Sequence, residues 1–100
     1  MAYFHLRLDG PRPTFPFDMS DVGREAMGRH GEYWQRLADA GTAIAVGPVM
    51  AADGPFGLAL VEAGSIEAAQ ELTDADPVIM ADLGFSYVVS PIPSIILRQE

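Results

Sequence analysis

Two polar residues sit where the pattern of the chain is apolar. His30, in "MGRHGEYW", falls near the middle of an apolar helical arc. Asp76, the second aspartate of "DADP", falls on the Ala69/Leu72 side of a later helix if that helix runs so far. An imidazole beside a buried carboxylate does specific work. The acid accepts from one ring nitrogen, fixes the tautomer and stabilises the imidazolium, leaving the other nitrogen free to take or give a proton. Each residue also has a plainer reading. A lone inward histidine is commonly a hydrogen-bonded core residue, and Asp76 alone suits a helix end or turn as well as a catalytic pair.

Other side chains are candidates for the walls of a pocket. Gly28 and Gly31 flank His30 and lack Cβ atoms, so a ligand or another backbone can approach the ring closely. Tyr33 and Trp34 read as core or as pocket lining, and Gly47-Pro48 as a backbone device or a ligand contact. Arg12, in a proline-rich loop, reads as a solvated residue or as an anion-binding group on a lid. His5 lines an interior or sits at a subunit contact. A metal set of His5, His30 and Asp76 lacks ligand-like spacing, so neither metal nor cofactor is expected. No phosphate-cradling glycine loop or serine-nucleophile motif is present.

These residues need elements to position them. "YFHLRL", Tyr3–Leu8, alternates with period two, turning Phe4, Leu6 and Leu8 one way and Tyr3, His5 and Arg7 the other. "GPRPTFPFD" holds three prolines within six residues and reads as an ordered or hinged loop, with residues 10–19 a candidate lid. A helix follows from about Ser20 to Ala40, capped by Ser20 or Asp21 and closed by Gly41. Val22, Ala26, Met27, His30, Tyr33, Trp34 and Leu37 share its apolar side.

Thr42–Met50 reads as a buried strand, with Gly47-Pro48 marking an edge position or a bulge. "AADGPFG" is a turn with Gly54 and Gly57 free to take positive φ, and Leu58–Ala63 is the returning strand. Ser65 caps a second helix that buries Ile66, Ala69 and Leu72 and ends near Pro77. "VIMADLG" suits an added helical turn, Phe85–Pro91 the last core strand, and "SIIL" a candidate short extension.

The order β-α-β-β-α-β predicts one α+β domain over residues 1–100, a ferredoxin-like antiparallel sheet with two helices on one face. Apolar content on the other face calls for a partner sheet. A homodimeric α/β barrel, with a pocket inside each half, follows. Six basic against fourteen acidic residues give a formal charge of −8, which argues against nucleic acid and anionic membranes as partners. With no cysteine there is no disulfide or thiol chemistry. The N-terminus lacks a signal-peptide pattern and no apolar run reaches spanning length, so a cytoplasmic location is expected.

The stretch "RHGEYWQRLADAGTAIAVGPV", followed by "GSIEAAQELTDADP", resembles the YCII-related (YciI-like) family. The ordered set is His30, Gly41, Gly47-Pro48, Ser65 and Asp76-Pro77, and the resemblance covers nearly the whole chain. The loop "RPTFPFDMS" is similar to that of one branch. The resemblance implies the dimeric ferredoxin-like barrel, with a His-Asp dyad at His30 and Asp76. That family includes a dehydrochlorinase acting on a chlorinated hydroxyquinol and is related in fold to muconolactone isomerases.

The expected function is a small cofactor-independent enzyme, an isomerase or a dehydrochlorinase-like lyase. Its substrate would be a small metabolite, aromatic-derived or carboxylated. His30 acts as general base and then acid, oriented by Asp76. Arg12 holds an anionic group, and Tyr33, Trp34, Gly47, Pro48 and His5 contact the substrate. The alternative is a non-catalytic small-molecule-binding or accessory, regulatory dimeric module.

Overall fold

Alternation in the first strand sets the plane on which everything else packs. The computed structural model describes residues 1–99. In β1 (Ala2–Asp9), Phe4, Leu6 and Leu8 are 4%, 0% and 5% exposed. β1 is central: with β2 (Ala43–Ala51), β3 (Gly54–Ala63) and β4 (Ser86–Ile92) it forms one sheet of order β2-β3-β1-β4. Every neighbouring pair is antiparallel. α1 (Asp21–Asp39), α2 (Ile66–Asp74) and the short α3 (Pro77–Met80) complete the chain, and the helices cover one face. This is the expected ferredoxin-like α+β arrangement, with α3 as the added turn.

The core lies between that face and the helices. Phe4, Leu6, Ala59 and Val61 of the sheet meet Trp34 of α1 and Ala69 of α2. Fully buried aliphatic side chains such as Leu6 and Val61 each contribute about 1.5–3 kcal/mol over exposure.

Local signals explain the helix ends. Ser20 Oγ accepts from the Gly23 amide at 3.1 Å. At the other end Gly41, at φ +86°, lets the Thr42 amide reach the Leu37 carbonyl and its own amide reach Ala38. That is the Schellman closure that glycine favours. α1 runs unbroken through Gly28 and Gly31. Ser65 caps α2 by accepting from the Ala68 amide.

Several expectations are corrected. Val22 is 62% and Ile66 38% exposed, and both lie in the first turns of their helices. β2 is an edge strand, as Pro48 requires, but only Ala43 in it is buried, and the bulge falls at Ile44 rather than at Gly47-Pro48. Gly54 has positive φ; Gly57 is instead an extended residue of β3. A Cβ at Gly57 would lie 3.1 Å from that of Leu8, so close packing, not turn geometry, accounts for this glycine. "SIIL" forms no strand.

The face away from the helices carries Tyr3, His5 and Arg7 of β1, paired with Glu62, Leu60 and Leu58 of β3. Arg7 lies over the Phe56 ring at 4.1 Å.

Candidate active site

Asp76 organises the site. Its backbone is the N-cap of α3: the side chain accepts from the Val78 amide through Oδ1 at 3.0 Å, with Pro77 opening the helix. The inward direction of Asp76 therefore has a different origin from the one expected. α2 stops at Asp74, and the turn into α3, rather than a continued helix, aims the carboxylate at the core. It is fully buried.

Oδ2 collects three donors from two other elements. His30 Nδ1 of α1 stands 2.7 Å away, Trp34 Nε1 of α1 donates at 2.9 Å, and the Tyr87 hydroxyl of β4 donates at 2.5 Å. His30, Trp34 and the inward side of β4 converge here because His30 and Trp34 are four residues apart on one helix face. Burial pushes the Asp76 carboxyl up, but the bonds from His30, Tyr87, Trp34 and the Val78 amide together outweigh it. The carboxyl ends below its usual range and is ionised. An ionised carboxylate only accepts, so His30 donates from Nδ1. In the neutral ring Nε2 then carries the lone pair. Nε2 has no hydrogen-bond partner among the described residues, and the His30 side chain keeps 15% exposure.

That nitrogen is the one left for a cleft of about 580 Å³ between α1 and the β2–β3 end of the sheet. His30, Gly31 and Trp34 form its helix wall; Gly57, Ala59 and Tyr87 belong to its floor. Phe15 and Pro16 close one end, where Phe15 stacks edge-on against Phe85 at 4.9 Å. The cleft therefore lies on the helix side of the sheet, where the gap between α1 and the edge strand leaves space.

The expected site residues divide accordingly. His30, Asp76 and Trp34 are in direct contact, and Gly47 and Pro48 line the cleft. Tyr33 turns away: its hydroxyl donates to the Leu72 carbonyl at 2.6 Å, and burial, then the charge of Asp76, push its ionisation up against the pull of Arg36. Arg12 does not line the cleft either. It donates to the carboxylate and the carbonyl of Asp18, both at 2.8 Å, which fastens the loop upon itself. His5 is on the opposite face of the sheet, because β1 alternates and Phe4 and Leu6 take the helix side. It cannot join His30 and Asp76 around one metal, and among the described residues no group of three His, Asp or Glu is placed to hold one.

Tyr87 is the residue sequence reasoning missed. A signal existed: in "FSYVVSP" it alternates with Val89, and a tyrosine on an inward strand face needs a partner for its hydroxyl.

The YCII-related domain model matches residues 1–93. No curated protein matches the chain. Among solved structures, the chain is similar to the 5-chloro-2-hydroxyhydroquinone dehydrochlorinase of Burkholderia phenoliruptrix in complex with 2,5-dihydroxybenzoquinone. The TM-score is 0.62 at 21% identity, over 87% of this chain and 90% of that one. At that identity the likeness establishes the fold.

Proposed function

The chain belongs to the YCII-related domain family, and from that premise we propose that it is a cofactor-independent enzyme of proton transfer on a small, aromatic-derived molecule. One observation carries the proposal: a fully buried carboxylate holds His30 Nδ1 at 2.7 Å while the ring borders a largely apolar cleft. His30 Nε2 takes a proton from the ligand, Asp76 orients the ring and stabilises the imidazolium, and Nε2 returns the proton later. In an isomerisation the proton goes back to a different carbon. In an elimination the electron pair freed at carbon or phenolic oxygen moves into the ring, a halide departs with its bonding pair, and Nε2 releases the proton it took to solvent instead of returning it to the ligand. The net loss is HX, with no oxidant consumed. The neighbour's dehydrochlorination of a chlorinated hydroquinone makes elimination the leading form. With Arg12 turned to Asp18, an uncharged ring suits the cleft better than the carboxylate first considered.

The assay is chloride release from 5-chloro-2-hydroxyhydroquinone, with double-bond migration in an unsaturated lactone as the isomerase arm. His30→Ala lowers turnover by about 10²–10⁴-fold, the usual contribution of general acid–base catalysis, and Asp76→Asn lowers it less. Parent rates in both variants, with folding intact by circular dichroism, would overturn the proposal. A homodimer belongs to the same reading, since half-buried Leu58 and Leu60 and the exposed Val88 offer a second copy an apolar sheet face. Light scattering should give twice the chain mass; a stable single-chain mass at micromolar concentration removes the barrel. No helix is long and apolar enough to cross a membrane among the described residues. A cytoplasmic location is proposed on the composition alone.

A further inference from the structure

We propose that Tyr87 is a positioning residue of the proton-transfer centre: its hydroxyl, with the Trp34 indole, saturates Asp76 Oδ2 so that the carboxylate orients His30 instead of taking its proton. The inference rests on the proton-transfer reading above.

Tyr87 sits on the inward side of β4, opposite Leu8 of β1, and its ring is part of the cleft. The direction of its hydroxyl hydrogen follows from its two neighbours. Trp34 Nε1 can only donate, and it lies 3.2 Å from the Tyr87 oxygen. That oxygen accepts from the indole, so its single hydrogen goes to Asp76 Oδ2 at 2.5 Å. The carboxylate oxygen then faces three donors, from His30, Trp34 and Tyr87, where an oxygen offers about two lone pairs. A proton arriving there would meet donor hydrogens on every side. Oδ1 is occupied by the Val78 amide. The proton therefore remains on the imidazole when His30 has taken it from a ligand, and Asp76 acts through charge and direction.

The other groups around the carboxylate do not replace Tyr87. Tyr33 of α1 feels the charge of Asp76, but its hydroxyl is turned away and committed to the Leu72 carbonyl. Among the described residues no lysine or arginine bonds Asp76. Burial, then the bond to Asp76 and its charge, push the Tyr87 hydroxyl well above the usual tyrosine range, against the Trp34 bond. At neutral pH the hydroxyl therefore keeps its hydrogen and donates it to Asp76. Because the same ring borders the cleft, a ligand pressing on Tyr87 also presses on the carboxylate that aims His30.

The test uses Tyr87→Phe, which keeps the ring and deletes the donor, with Tyr33→Phe as the comparison hydroxyl. Carbon NMR of the aspartate carboxyls in the ligand-free protein follows Asp76. Tyr87→Phe should raise the pH at which Asp76 ionises, and Tyr33→Phe should leave it nearly unchanged. With 5-chloro-2-hydroxyhydroquinone, Tyr87→Phe should lower kcat about tenfold at nearly constant KM, the loss of a bond of about 1.4 kcal/mol. An unmoved Asp76, or a moved Asp76 with parent kcat, overturns the proposal. Nitrogen NMR of the parent protein adds a check that needs no variant: the neutral His30 ring should carry its hydrogen on Nδ1, and an Nε2–H ring overturns the wiring. These spectra need no turnover. They can fail while His30→Ala still abolishes activity, and the reverse holds too.

Discussion

Two carboxylates in this chain are each gathered by several donors, and they illustrate opposite uses of the same chemistry. Asp18, in the loop between β1 and α1, accepts from Arg12 and from Thr14 at 2.6 Å, and those two bonds, Arg12 first, hold its carboxyl low. Asp76 is also held low, but against burial and by donors from α1, α3 and β4. Around Asp18 water competes for every bond, and the clasp joins residues within one short loop. Asp76 is shut off from bulk solvent, and its bonds tie distant elements together. A hydrogen bond gains structural and chemical consequence from what would replace it, and in the core nothing does.

The largest effect should come from emptying the buried centre. Asp76→Ala leaves the Trp34, Tyr87, Val78 and His30 donors without their acceptor, and should lower the unfolding free energy by about 3 kcal/mol in urea titration. The acid side gives the sign. The folded carboxyl is depressed, so its stabilisation is present above the unfolded-state value of about 3.9 and is lost as pH falls through the lower folded value. The parent should therefore lose stability on acidification below about pH 4, and Asp76→Asn should flatten that slope. Equal slopes in the two proteins would mean that the core carboxylate is not held as an anion.

A smaller effect, of opposite sign, is expected at the rim. A Cβ at Gly31 or Gly28 meets nothing within 4 Å. Alanine at either position should stabilise α1 by about 1 kcal/mol. Only Gly31 lines the cleft, so Gly31→Ala should weaken ligand binding while Gly28→Ala should not. Equal binding in both variants would show that the ligand stays away from that part of α1.

The smallest effect belongs to the exposed clasp. Asp18→Asn should leave the thermal midpoint nearly unchanged and raise KM slightly with kcat constant, through a looser Phe15 wall, and high salt should reproduce it in the parent. A fall in kcat as large as that of Tyr87→Phe would erase the distinction between the two carboxylates.

Much of the fold was legible because its signals are short-ranged. Alternation in "YFHLRL" assigns Phe4, Leu6 and Leu8 to one face within a single strand. Ser20 and Ser65 mark helix starts by accepting from amides three residues on, and Gly41 marks a helix end by donating to a carbonyl three residues back. The same periodicity put His30 and Trp34 on the buried side of α1 but failed at Val22, which stands exposed in the first turn. His5 was equally legible as facing away from Phe4; which face carried the cleft was not.

What the amino-acid order determined by itself was the order of the main strands and helices and the inward side of His30 on α1, since each depends on residues within a few positions. Only the tertiary structure decided that Asp76, expected inward on a continued helix, reaches His30 as the cap of α3, that Tyr87 meets it from β4, and that Arg12 closes on Asp18 instead of on a ligand. His30 and Asp76 are 46 positions apart, and their 2.7 Å separation depends on how two helices share one sheet face. Periodicity specifies the side on which a residue lies; only packing specifies what it meets there.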